Sequence, residues 1–315
     1  MHLIDKLIEQ IIKKRNPTVV GLDTRLEYVP DHVVERCSGA SLFEVAASAI
    51  FEFNKAIIDA VYEHIPAVKI QVAYYEMYGP PGMEAFRLTA QYAKSKGLIV
   101  IGDIKRNDIG STAEAYASAY LGETPLKSGR MPAFDLDFVT VNPYLGTDGV
   151  MPFIQACKEY NKGIFVLVKT SNPSSGEFQD LPVEGKRLYN KVAEKVVEWG
   201  KELMGTKGYS HVGAVIGATY PRQLEELRGE MPHTYFLIPG YGAQGGSIQD
   251  VMGGFDEHGL GAVINASRSV ICAYRRSPWK EKFSPECFAD AALAEVLRMK
   301  EEIEAALSHN GIKTW

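Results

Sequence analysis

The stretch 98-LIVIGDIKRNDIGST-112 begins with five residues that are apolar or glycine and runs directly into Asp103, Lys105 and Asp108. A short run apolar on both faces suits a parallel β-strand covered by helices. Runs of the same kind recur on either side: TVVGLD from Thr18, AVKIQV from Ala67, FVTVNP from Phe138, IFVLVK from Ile164, HVGAVIG from His211, TYFLIPG from Thr234 and GAVINAS from Gly261. With the run at Leu98 they make eight strands. The intervals carry helical spacing, as in Ala85, Leu88 and Ala93, or Leu188, Val192, Val196 and Trp199. Strand starts lie roughly 23 to 50 residues apart, near the 30 or more that a strand, a crossover helix and its turns require. Eight such units predict an α/β fold, a single (β/α)8 TIM barrel spanning 1–315 with additional helices and loop insertions. The extra chain falls at 24–45, 122–137 and 275–315, segments to which the sequence assigns no role. A doubly wound open sheet is the rival, but it normally carries a glycine-rich fingerprint after its first strand, and that turn here reads GLDTRLE. SNPSSGEF after the fifth strand and GYGAQGGS after the seventh read as short loops, so no linker divides the chain.

Composition agrees with one large soluble domain. Of 315 residues 46% are apolar and 23% charged, which excludes a disordered, collagenous or cysteine-stapled chain. Thirty-four Lys and Arg against 39 Asp and Glu leave a net charge of −5, which opposes a broad nucleic-acid-binding face. Any anionic ligand must then be met by local positive charge. Cys37, Cys157, Cys272 and Cys287 show no metal-binding spacing and read as reduced, mostly buried thiols. The opening MHLIDKLIEQIIKKR interrupts its apolar residues with charge, so it predicts an amphipathic helix rather than a signal peptide. No run approaches the roughly 18 to 20 apolar residues of a membrane span, and a cytoplasmic protein is expected.

A barrel places reactive groups at the C-terminal ends of its strands. Asp23, Lys69, Asp103, Lys105, Asn142, Lys169, Thr170 and Ser171 all fall there, whereas His211 and His233 open strands and read as structural. Alternation along the third strand sends Asp103 and Lys105 the same way, into the barrel mouth, and Ile104 outward. Flanking acids favour the charged form of Lys105, predicting a buried ammonium able to donate a proton. The plain alternative is a surface ion-pair patch. Such a patch contributes only about 0 to 1 kcal/mol, and burying several charges costs more than that, so stability is a poor reason for the cluster. A phosphate site is expected where barrels often build one, in the loops after strands seven and eight. The first offers Pro239, Gly240, Gly242, Gln244, Gly245 and Gly246, and the second offers the guanidinium fork of Arg268.

DIKRNDIGST resembles the DxKxxD signature of the orotidine 5′-phosphate decarboxylase family, and GLDTR, VKIQ, KTSN, PGYGAQGG and NASRS resemble its other strand ends in order, over about residues 18 to 275. The likeness is greatest to the longer bacterial branch. It implies a (β/α)8 barrel, usually a homodimer, that converts orotidine monophosphate to uridine monophosphate in pyrimidine synthesis without metal or organic cofactor. It also implies that Lys105 protonates C6 of the pyrimidine, that Asp103 lies beside the departing carboxylate, and that Asp23 and Lys69 bind the ribose hydroxyls. Asp108 and Thr112 would reach the partner's site across the dimer interface, and Ser171 would contact the pyrimidine. The related sugar-phosphate decarboxylases and aldol-type synthases use Mg²⁺ held by an acid where this chain has Lys69. A nucleotide-binding barrel without catalysis would be expected to lack one of the catalytic charges. No nucleic-acid or membrane partner is expected.

Overall fold

The computed structural model describes residues 1–240, 247–312 and 315. All eight apolar runs form strands: β1 Thr18–Leu22, β2 Ala67–Gln71, β3 Ile99–Arg106, β4 Phe138–Val141, β5 Gly163–Lys169, β6 Val212–Ile216, β7 Phe236–Pro239 and β8 Ala262–Ala266. They pair in parallel in chain order, and β1 pairs with both β2 and β8, closing the barrel. Eight helices of ten residues or more accompany them among the described residues: α1 Leu3–Lys14, α2 Leu42–Val61, α3 Gly79–Ser95, α4 Gly110–Tyr120, α5 Thr147–Tyr160, α6 Leu188–Gly200, α7 Pro221–Glu230 and α8 Phe288–His309.

Strand alternation explains both halves of the core. Along β2 and β3, Val68, Ile70 and Val100 join the outer layer against the helices, while Ala67, Ile99 and Ile101 face the lumen with Phe138, Phe165 and Tyr235. The amphipathic α1 brings Leu3, Ile4, Leu7, Ile8 and Ile11 onto this inner cluster, so it plugs the N-terminal end of the barrel. Higher in the lumen the same alternation presents Lys69, Gln71 and Asp103 instead of apolar side chains.

The regions assigned no role fold as additions. Residues 24–45 hold short helical turns, 124–131 form a two-stranded hairpin, and α8 packs against α2. The segment after β5 corrects the expectation of a short loop. Residues 170–187 contain a helical turn at Gly176–Gln179 and a small hairpin pairing 182–183 with 186–187. An ion pair with its cation buried helps hold this excursion: Lys169 is fully buried and its Nζ bonds both oxygens of the half-exposed Asp180 at 2.8 and 2.9 Å. Of the cysteines, Cys157 and Cys272 are buried and Cys37 and Cys287 half-buried, all as free thiols. His211 is buried with Nδ1 bonded to the Lys162 carbonyl, and Nδ1 of His233 bonds the Gly208 carbonyl, which agrees with their structural assignment.

Inside the lumen Phe165 packs on Phe138 with ring centroids 5.1 Å apart. Gly213 makes room for it, because a Cβ there would lie 2.5 Å from the Phe165 ring. Replacing Phe165 with Ala is expected to lower stability by about 3 to 5 kcal/mol, read as a fall in the urea midpoint at unchanged slope.

Candidate active site

At the C-terminal mouth of the barrel lies a cavity of 680 Å³, a volume suited to a small ligand. Its wall contains Asp23, Lys69, Asp103, Lys105, Ser171, Pro239, Gly240 and Arg268. Residues from β1, β2, β3, β5, β7 and β8 thus converge on one space, as the closed barrel requires. Asp108 and Thr112 do not line it. Gln244 and Gly245, with Gly242 and Gly246, lie outside the described residues.

The charges form a row of alternating sign. Lys69 Nζ lies 2.9 Å from Asp23 Oδ1 and 3.0 Å from Asp103 Oδ2, and Lys105 Nζ lies 2.5 Å from Asp103 Oδ1. Burial alone would raise the carboxyl pKa of Asp103, but the ammonium groups of Lys69 and Lys105 outweigh it and hold the group well below the usual carboxylate range. Burial would likewise lower Lys69, but Asp103 and Asp23 overcome that and raise it. Both groups are therefore charged at neutral pH.

Two expectations for β3 need correction. The buried ammonium is Lys69, with 4% of its side chain exposed, whereas Lys105 is 46% exposed and reaches the cavity from its rim. Nor is β3 regular to its end: Lys105 has φ +47°, and the pairing of β3 with β4 shifts register between Gly102 and Arg106. Left-handed backbone at a lysine is uncommon and costs of order 1 to 3 kcal/mol, so surrounding contacts must hold it. One is visible, a bond from the Lys105 backbone N–H to Thr140 Oγ1 at 2.9 Å. Ile104 packs outward as alternation predicts.

Sequence reasoning missed Thr140 and Gln71. The Thr140 hydroxyl also donates to Asp103 Oδ1 at 2.9 Å, and Gln71 Nε2 donates to Asp103 Oδ2 at 2.8 Å, so Asp103 accepts from four side chains. A signal existed for Gln71, which stands two residues beyond Lys69 and shares its face of β2. Thr140 could be placed on the lumen side by the same count from Phe138, but nothing in FVTVNP marks it as a partner of β3.

On the opposite wall, Ser171 follows β5 and lies against Gly217, where a Cβ would sit 2.7 Å from the Ser171 Cβ. Glycine at that position permits the close approach. Lys169 is absent from the cavity lining and is committed to Asp180. Among the described residues no group of three or more His, Cys, Asp or Glu is arranged to hold a metal ion.

A family model described as orotidine 5′-phosphate decarboxylase / HUMPS family matches residues 19–277. The chain is 44% identical over 310 residues to an orotidine 5′-phosphate decarboxylase of Caldicellulosiruptor bescii, covering 98% of this chain and 100% of that protein. It is 46% identical over 304 residues to one of Rhodopirellula baltica, covering 96% and 99%. Among solved structures, an OMP decarboxylase of Leishmania donovani superposes with a TM-score of 0.72 at 29% identity, covering 97% of this chain and 99% of that one.

The row of charges sets a pH dependence for stability. A carboxyl whose folded pKa is depressed stabilises the fold fully above its unfolded pKa, about 3.9, and loses that effect as pH falls toward the folded value. Asp103→Asn leaves two ammonium groups short of a partner and is expected to cost about 3 to 5 kcal/mol. In urea titrations, the stability difference from wild type should stay constant from pH 7 to about 5 and shrink only below about pH 4.

Proposed function

Because the chain belongs to the orotidine 5′-phosphate decarboxylase / HUMPS family, we propose that it decarboxylates orotidine 5′-monophosphate to uridine 5′-monophosphate, the last step of de novo pyrimidine nucleotide synthesis. The observation that carries the reading is the unbroken row Asp23, Lys69, Asp103 and Lys105 along one side of a cavity that also contains Arg268. Arg268 and the backbone N–H of Gly240 would take the 5′-phosphate, with Pro239 shaping the wall beside them. Asp23 and Lys69 would bind the ribose hydroxyls, and Ser171 the pyrimidine.

The chemistry follows from the charges. The bond between C6 and the carboxylate carbon breaks, carbon dioxide leaves, and the electron pair stays on C6. Lys105 is positioned at the rim beside Asp103, and its ammonium stabilises that developing negative charge before passing a proton to C6. Since the attraction grows as charge builds on C6, it acts on the transition state more than on bound substrate. The neutral amine recovers its proton from solvent, to which it is half open. Asp103, held by four donors, keeps the Lys105 amine aimed.

Asp108 and Thr112 would act in the site of a second subunit. Their absence from the cavity of their own chain supports this, as do the exposed side chains of Ile109, Tyr144 and Leu145 nearby. We also take residues 1–315 as one catalytic domain and the cytoplasm as its place of action. Among the described residues, no helix is long and apolar enough to cross a membrane.

The family model also covers HUMPS enzymes, so the Mg²⁺-dependent sugar-phosphate decarboxylases and aldol-type synthases are the second reading. A fully buried Lys69 ammonium between Asp23 and Asp103 disfavours it, because the cation would repel a divalent ion there. A barrel that binds nucleotide without turnover is disfavoured by the completeness of the charged row.

Purified protein is expected to convert orotidine monophosphate with the loss of orotate absorbance, at the same rate with and without a chelator. Lys105→Ala should lower kcat by at least about 10² to 10⁴-fold, and a variant with normal turnover would refute the proton-donor role. Mixing Asp108→Ala chains with Lys105→Ala chains should restore part of the activity, and dimers proven mixed yet inactive would remove the shared-site arrangement.

A further inference from the structure

Beside the main cavity is a second pocket of 310 Å³ lined by Tyr28, Arg268, Cys272, Arg275 and Arg276. It shares Tyr28 and Arg268 with the main cavity, so the two spaces adjoin at the end assigned to the phosphate. Three guanidinium groups converge there in a chain of net charge −5. They surround a buried thiol: burial pushes Cys272 up to about 11, while Arg275, Arg276 and Arg268 each pull it down. None of the three forms an ion pair among the described residues, and 241–246 and 313–314 contain no Asp or Glu.

The nearby carboxylates are otherwise engaged or remote. Glu27 pairs with Arg25 at 3.1 Å, pushes the Cys272 thiol up less than any of the three arginines pulls it down, and gives Arg275 its backbone carbonyl at 2.7 Å, while Asp31 bears weakly on Tyr274. That carbonyl bond, with the Tyr274 ring 5.0 Å from its guanidinium, fixes Arg275 in place. Tyr274 is in turn tied to the Tyr28 carbonyl at 2.8 Å. Three like charges with one outlying carboxylate, itself paired to Arg25, repel one another, which gives stability little reason to build such a cluster. Guanidinium forks match phosphate oxygens, and a site that adjoins the 5′-phosphate end is placed to receive whatever continues from that phosphate.

We propose that the Arg275 and Arg276 pocket is a polyphosphate subsite that takes the outer phosphates of uridine di- and triphosphate. The base and ribose would occupy the main cavity and the first phosphate would sit on Arg268. The inference rests on the decarboxylase reading, because it places a product-like nucleotide in the main cavity. The further phosphorylated forms of the product would then compete with substrate, and the enzyme would slow as they accumulate. No covalent step is involved.

The test compares inhibition by UMP, UDP and UTP, with a chelator present to keep the phosphates free of metal. In the wild type, UDP and UTP should compete with orotidine monophosphate and bind at least as tightly as UMP. Arg276→Ala, and Arg275→Gln combined with it, should each weaken UTP by about tenfold or more, the scale of one lost charge-assisted contact. Affinity for UMP, and kcat and KM for orotidine monophosphate, should stay within about twofold, which also certifies that the variants fold. UTP binding more weakly than UMP in the wild type, or UMP and UTP losing affinity equally in the variants, would overturn the proposal. Calorimetric titration of UTP into wild type and Arg276→Ala reads the subsite without turnover. Failure to decarboxylate orotidine monophosphate would therefore count against the functional reading alone.

Discussion

The mouth of the barrel depends on one buried ammonium. Lys69 stands between Asp23 and Asp103 with almost none of its side chain in contact with solvent, and each of the three would be costly to bury alone. Together they satisfy one another, and the surplus negative charge on Asp103 draws Lys105 to the rim. A cation placed where negative charge develops needs a fixed environment, because a mobile one would reorganise during the reaction and forfeit part of the stabilisation. The four donors on Asp103 supply that rigidity, and the left-handed backbone at Lys105 is held by one of the same groups, Thr140.

The fold was legible because each barrel unit is a local pattern. A run such as LIVIG buries both faces, and its polar continuation marks the end where the chain leaves the lumen. From that, the convergence of Asp23, Lys69, Asp103, Lys105, Ser171 and Arg268 could be anticipated without coordinates. Residues whose importance lies in a partner on another strand were harder. Thr140 reads as an ordinary strand threonine until β3 and β4 are brought side by side, and only their register shows that it serves both Asp103 and the Lys105 backbone. The exposure of Lys105 was misjudged for a related reason. Alternation gives a direction but not a depth, and the backbone departs from extended geometry at that residue.

The excursion after β5 escaped notice because the contacts that order it join side chains from its two ends, Lys169 with Asp180 and Thr170 with Gln179. Nothing in SNPSSGEFQD reveals that Asp180 closes on the buried amine of Lys169 and Gln179 on Thr170, yet those contacts help turn a polar stretch into an ordered wall. The amphipathic character of α1 was plain, but an apolar helical face suits any apolar surface. Its docking under the lumen follows from the ring of Val19, Ala67, Ile99 and Val263 that would otherwise meet water.

Below the site the lumen is filled by Phe138, Phe165 and Tyr235, and α1 packs beneath them. With that floor filled, any ligand of the cavity enters and leaves through the C-terminal mouth, where Arg268 lies.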